Sequence, residues 1–492
     1  MISAPLSGVV RGDPLWRTLG LPALAGLLIA AALTAELLWA RGLSLRWAAP
    51  MLRGEAPPLL MLTMVPLLGL AVLSVSLLRG WWPARDDAPI ALLLVATQCV
   101  GFSLANIEPL KLCLLLVCAG WLADALMNNR PVRLYPPFLM AWLIILAFAF
   151  ASVVNGLVSS LVAQYTIVAK FLMFFIVPNL IRSPATLLFA LRLVVGLGVA
   201  SSVLAIIQEA LFYYFNLPLS LDDNATKYWF KDTPFGWMIR ATAFHPTAQN
   251  LSHWLLMAFA ILLLGPFTRL HRVLGCALIA LGIFFTFTGN GLVVLALICF
   301  AAPIVHRPRF LIHYLASLSL VGLVTYQLGV MEWVYEKYLL PISGKSAEDR
   351  ISLLQTGLEV IERHPLVGMG LNNFGRVSPQ PVHNAYMQMI TEIGLVPGVV
   401  LCLIFLFIMA RLLIGVAHTR PGSLQQAGKG VLLAFVALLV HFMFEPFINS
   451  LVSWCVVGLA EAAALLLYMQ SANKQAASDP PKSTTAALRT AP

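Results

Sequence analysis

Residues 394–415 read GLVPGVVLCLIFLFIMARLLIG, and this stretch decides the fold class. It carries a single charge, Arg411, in an otherwise apolar run. Coiled as a helix at about 1.5 Å per residue, it reaches across the roughly 30 Å hydrocarbon core of a bilayer. Apolar and polar residues do not alternate along it, which excludes a strand of a membrane barrel and leaves a helix that satisfies its own backbone.

Working outward, similar runs are predicted near 19–40, 58–78, 88–104, 109–127, 136–155, 159–178, 184–208, 245–265, 273–289, 291–305, 310–330, 431–447 and 450–470. With 60% hydrophobic and 11% charged residues, the chain is expected to be an all-α polytopic transmembrane bundle of about 12–14 spans. The first run follows Arg11 and Arg17 as a signal sequence would. It lacks a small-residue cleavage site and leads into further spans, so it is read as a membrane helix. All seven cysteines lie inside apolar runs, which argues against disulfides and cysteine–metal sites. The net charge of +10 comes from basic residues scattered singly through loops, a topology signal and not a nucleic-acid footprint.

That scatter orients the chain. Arg130, Arg133, Arg182, Arg269, Arg272, Arg307, Arg309, Arg420 and Lys429 fall on one side, together with Lys474, Lys482 and Arg489 of the tail. Short cytoplasmic loops are enriched in such residues, so this side is predicted to be cytoplasmic and to hold both termini. Arg41, Arg46 and Arg53 fall on the other side and oppose the rule. The expected division is residues 1–170 as N-terminal membrane helices, 171–470 as a catalytic core and 471–492 as a disordered cytoplasmic tail. Two long loops, near 209–244 and 331–393, face away from the cytoplasm, and long loops are where function concentrates.

The larger loop holds DRISLLQTGLEVIERHPLVGMGLNNF at 349–374 and VHNAYMQMITEIGLVPG at 382–398. Ser343-Gly344-Lys345 reads as a turn, followed by an amphipathic helix from Ser346 to Arg363 that Ser346 and Asp349 would cap. His364-Pro365 ends that helix and Gly368 and Gly370 supply turns. Upstream, RATAFHP at 240–246 opens another span.

HPLVGMGLNNF followed by HNAYMQMITEIGLVPG strongly resembles the signature loop of the O-antigen ligase/polymerase superfamily, and the Arg240 segment resembles that family's arginine-containing periplasmic motif. The resemblance implies a glycosyltransferase of the bacterial inner membrane. Its members move a glycan from a polyprenyl pyrophosphate, here undecaprenyl pyrophosphate, onto an acceptor hydroxyl at the periplasmic face. It also implies His383 as base, with Arg240 and Arg350 holding the pyrophosphate. Relatives often carry Ser-Arg where this chain has Gly289-Asn290, so Lys227 or Lys231 is considered as a replacement cation.

The chemistry fits those residue types. Neutral imidazole can take the acceptor proton, and a guanidinium fork binds phosphate oxygens without losing its charge. Asp86-Asp87 and Asp222-Asp223 are adjacent, not spaced as in Asp-x-Asp metal sites, so metal-independent inverting displacement with no cofactor is expected. His364 is the rival base, although its place at a helix end gives it a structural role. Asn384 is read as a helix cap or as a partner of His383. Lys170 lies inside a span and is expected to pair with Glu209 or Glu461, or to reach a lipid pyrophosphate. His245 and His253 are read as interfacial packing, and His441 with Glu445, one turn apart, as hydrogen-bonded to each other. The favoured acceptor is lipid A–core. A carrier-linked repeat unit (polymerase) or a protein hydroxyl are the alternatives, and a lipid-linked sugar transporter is the rival class. No nucleic-acid partner is expected.

Overall fold

The computed structural model describes residues 87–99, 109–129, 131–133, 135–154, 158–215, 230–233, 236–307, 310–329, 332, 340–378 and 380–478. The expected spans at 19–40 and 58–78, the basic residues between them, Asp222-Asp223 and the tail from 479 lie outside the described residues.

Fourteen helices and one hairpin make up the described chain. They run α1 (Ala88–Ala96), α2 (Pro109–Met127), α3 (Pro136–Ala151), α4 (Val158–Leu180), α5 (Pro184–Phe215), β1 (Phe230–Thr233), β2 (Gly236–Ile239), α6 (Ala248–Leu264), α7 (Arg269–Phe285) and α8 (Gly289–His306). Then come α9 (Leu311–Gln327), α10 (Leu340–Arg363), α11 (Ala385–Ile393), α12 (Leu395–His418), α13 (Ser423–His441) and α14 (Leu451–Ser478). Seven of these helical segments are long and apolar enough to cross a membrane. Two shorter helical stretches, Thr166–Leu180 within α4 and α6, are also apolar, so the bundle is a polytopic all-α membrane fold.

Local sequence explains the helix starts. Pro109, Pro136 and Pro184 occupy first positions of α2, α3 and α5, where the missing N–H costs nothing. Thr247 and Thr268 cap α6 and α7 by accepting from the amides of Asn250 and His271. At the centre, α6 is apolar on every side and buries 14 of its 17 residues, packing on α13, α7, α5 and α8. Beside it α14 packs between α4, α12 and α13, with the Trp454 ring in contact with both Trp142 and Phe405. The outer helices face outward with Leu116, Leu320 and Leu406, each more than half exposed, as lipid-facing surfaces require.

Four expectations need correction. The predicted 431–447 span is α13, which starts at Ser423 and stops at His441. Pro446 disfavours helix at the residue before it, and Phe442–Ser450 forms turns instead. The amphipathic helix of the large loop begins at Leu340, with Pro341 in its first turn, so Ser343-Gly344-Lys345 and Ser346 lie inside it and Ser346 is no cap. The tail does not begin at Ser471, because the alanine-rich residues after it continue α14 to Ser478. The smaller loop also holds a strand pair that the sequence reading did not anticipate, antiparallel in the register Phe230↔Ile239 to Thr233↔Gly236.

Candidate active site

The site forms where the segments between helices meet at one end of the bundle. Glu445, in the turn after α13, is 4% exposed, and a buried carboxylate needs partners. It has three on the described chain. Arg350 of α10 approaches Oε1 through Nη2 at 3.4 Å, His383 approaches Oε2 through Nδ1 at 3.4 Å, and the Asn290 amide donates to Oε1. Asn290 also accepts from Arg350 Nη1 at 3.1 Å, so one amide holds both charges in register.

Main-chain bonds fix the His383–Glu445 pair. The Ala385 amide donates to Phe442 O at 2.7 Å, and Asn384 Nδ2 donates to Met443 O at 3.3 Å. Asn384 Oδ1 accepts from the Met387 amide at 3.0 Å and caps α11. Asn384 therefore fills the cap role and braces the turn that carries Glu445, without bonding the His383 ring.

Glycine turns set the height of α11. Gly368 (φ +66°) and Gly394 (φ +100°) lie against each other's strands of chain. A Cβ on Gly368 would sit 2.5 Å from the Glu392 carbonyl, and one on Gly394 would sit 2.0 Å from Leu366 O. The amides of Met369 and Gly370 donate to the carbonyls of Thr391 and Glu392, each at 2.9 Å. HPLVGMG is thus a bracket for the helix that His383 opens. It is not a phosphate cradle.

Arg240 follows β2 and enters from the other loop. Its Nε donates to Thr286 O at 3.2 Å, and the Ala241 amide donates to Phe285 O at 3.0 Å. Gln208 Oε1 accepts from the amides of Thr242 and Ala243 and anchors the segment to α5. Burial lowers the Arg240 pKa to about 10 while the Glu445 carboxylate pulls it back up, so the guanidinium stays charged at neutral pH. Its terminal nitrogens make no hydrogen bond among the described residues, and Arg350 Nε is buried without a partner. That Arg350 N–H is an unpaired buried donor, which costs about 1–3 kcal/mol. An anion with several oxygens would satisfy it together with the Arg240 terminal nitrogens.

The remaining candidates separate from this cluster. His364 is exposed, its amide and carbonyl serve the helix end and the next turn, and no bond joins its ring to Glu445. Lys170 is 1% exposed and donates to Asn449 Oδ1 at 2.5 Å, with Glu392 as its opposite charge. The expected pairing of Lys170 with Glu209 or Glu461 is not what forms. Glu461 binds Arg411 at 2.6 Å, and neither Glu209 oxygen has a hydrogen-bond partner. Lys170 thereby ties α4 to the turn after Glu445. His441 does not bond the Glu445 side chain either. Its Nδ1 lies 3.1 Å from His253 Nδ1, His253 Nε2 lies 3.0 Å from Ser453 Oγ, and Glu445 reaches His441 through its amide, which donates to the His441 carbonyl as the Phe444 amide does. His245 is fully buried, which drives its pKa down to about 3 and keeps it neutral. Lys227 and the Lys231 side chain lie outside the described residues.

Two members of the cluster were missed from sequence. In the sequence Asn290 stands out only as a departure from a Ser-Arg pattern, and Glu445 reads as a partner of His441. The one available signal was an acidic residue before proline at the end of an apolar run.

Compared with known proteins, residues 274–403 match the family described as O-Antigen ligase. The match spans most of α7 and continues into α12, and so contains Asn290, Arg350, His364, His383 and Asn384; Arg240 and Glu445 lie outside it and join the cluster through the fold. No curated protein matches the chain. Over residues 274–403 the chain is therefore similar to the O-antigen ligase family, and that stretch is set in a polytopic helical membrane bundle.

Proposed function

We propose that this protein is a glycosyltransferase that moves a glycan from undecaprenyl pyrophosphate to an acceptor hydroxyl at the periplasmic face of the bacterial inner membrane. The observation that carries the reading is the His383–Glu445–Arg350 constellation, with Arg350 Nε buried without an acceptor and Arg240 within the field of the same carboxylate. With Glu445 accepting from Nδ1–H, the His383 ring presents an unprotonated Nε2 lone pair. That nitrogen takes the proton of the acceptor hydroxyl as its oxygen attacks the anomeric carbon. The bond to the pyrophosphate oxygen breaks on the opposite side, which inverts the configuration. Glu445 stabilises the imidazolium that results. Arg240 and Arg350 neutralise the charge gathering on the departing pyrophosphate, work that a divalent ion does in other sugar transferases.

Lipid A–core is the favoured acceptor and a carrier-linked repeat unit the alternative. The test is single-turnover transfer by purified protein with EDTA present, offering each acceptor separately. His383→Ala should lower the rate by about 10²–10⁴-fold while donor binding is kept. Undiminished transfer by that variant would remove His383 from the chemistry. Loss of wild-type transfer in EDTA would overturn the metal-independent mechanism. A lipid-linked sugar transporter would move its cargo with or without His383.

A further inference from the structure

Away from the His383 cluster, a cavity of about 220 Å³ opens among α3, α4 and α14, with Arg133, Tyr135, Phe138, Phe174 and Glu461 in its wall. Glu461 lies about 15 Å along α14 from the end next to Glu445, and Arg133 precedes α3 on the loop that the charge pattern assigns to the cytoplasmic side. The cavity thus runs from about mid-bilayer depth at Glu461 to the Arg133 loop, away from the candidate active site.

Its two charged groups are both incompletely satisfied. Glu461 is 3% exposed; its Oε1 accepts from Arg411 Nη1 at 2.6 Å, while Oε2 is buried with no partner. Arg133 is positioned by its main chain, whose amide donates to Asn179 Oδ1 at 2.8 Å and whose carbonyl accepts from Asn179 Nδ2 at 3.0 Å. Its Nη2 reaches Arg182 O at 3.4 Å, and its Nη1 is buried with no partner. The second guanidinium, Arg182, adds positive field beside it. The cavity therefore presents a spare anion-binding donor and a spare cation-binding acceptor that do not bond each other. Aromatic rings line it, and Arg411 lies 5.3 Å from the Tyr135 ring centroid, closing one side.

We propose that this cavity binds a phospholipid headgroup carrying a primary ammonium beside its phosphodiester, of the ethanolamine type. The phosphodiester would take Arg133 Nη1 with Arg182 behind it. The ammonium would donate to Glu461 Oε2 against the aromatic rings, and the acyl chains would leave along the apolar surface at Leu465. An anionic glycerol headgroup offers Glu461 Oε2 only neutral hydroxyl donors, without the ammonium charge. A choline headgroup has no N–H to give it.

The experiment is native mass spectrometry of the full chain from detergent, with equal concentrations of ethanolamine, glycerol and choline phospholipids sharing the same acyl chains. The ethanolamine lipid should be retained about tenfold over the other two, the equivalent of one hydrogen bond to a charged group. Glu461→Gln keeps the bond from Arg411 and should erase that preference. Arg133→Gln should weaken retention of all three. Equal retention of the three lipids by the wild type, or an unchanged preference in Glu461→Gln, would overturn the proposal. Displacement of the lipid by soluble glycerophosphoethanolamine at equal concentration would overturn a lipid as occupant. Both variants should keep His383-dependent transfer, which shows that the bundle is intact.

Discussion

Glu445 holds Asn290, Arg350 and His383 at once, so its replacement should show more than one deficit. Glu445→Gln removes the charge that favours the imidazolium and loosens Arg350. It is expected to lower kcat on the order of 10²-fold or more, as loss of an orienting carboxylate does for other histidine bases. Asn290→Ala should act differently. Arg350 loses one of its two side-chain partners while the His383–Glu445 pair stays, so KM for the carrier-linked donor should rise with kcat little changed. Steady-state kinetics on the two variants distinguishes them, and equal falls in kcat would mean that Asn290 serves the base as well. At this scale the sequence was legible where a motif carried the residue. His383, Arg350 and Arg240 stand in recognisable strings. Asn290 and Glu445 acquire their meaning from contacts between positions far apart in the chain.

Among the elements, the two interlocked glycine turns make the sharpest prediction. Gly394→Ala forces a φ near +100° on a residue with a Cβ and drives that carbon into Leu366 O. The strain should cost about 1–3 kcal/mol, seen as a lowered melting temperature of the purified protein, with transfer impaired because α11 shifts. Unchanged melting and transfer would show that the bracket yields freely. Most elements could be read in advance because apolar length alone specifies a spanning helix, as for α2 and α12. The end of α13 could not, because Phe442–Phe444 is as greasy as the helix before it. Pro446 and the bonds from Ala385 and Asn384 pull that segment out of helical form.

For the whole molecule, orientation is the testable property. His364 and Arg420 are both exposed, at the two ends that the loop charges place on opposite sides. Cysteine introduced by His364→Cys should react with a membrane-impermeant maleimide added to intact spheroplasts. Arg420→Cys should react only after the membrane is opened. The reverse pattern would put the cluster on the cytoplasmic face and remove any periplasmic acceptor. The number of membrane passes was legible only approximately, since helices of 17 residues sit at the edge of what composition identifies.

The cluster draws on five separate stretches of chain, and Glu445 is the last of them to be made. A ribosome that has released α12 has already delivered Arg240, Asn290, Arg350 and His383 to the membrane, yet the histidine has no carboxylate to set its tautomer. The turn that supplies it is held by Ala385 and by Lys170, and it is followed at once by α14, the helix most enclosed by the bundle. On the proposed mechanism the nascent chain is therefore chemically silent through most of its synthesis. It would gain its base only once the turn after α13 and the helix that follows are in place, so a bilayer would receive the site complete or inert.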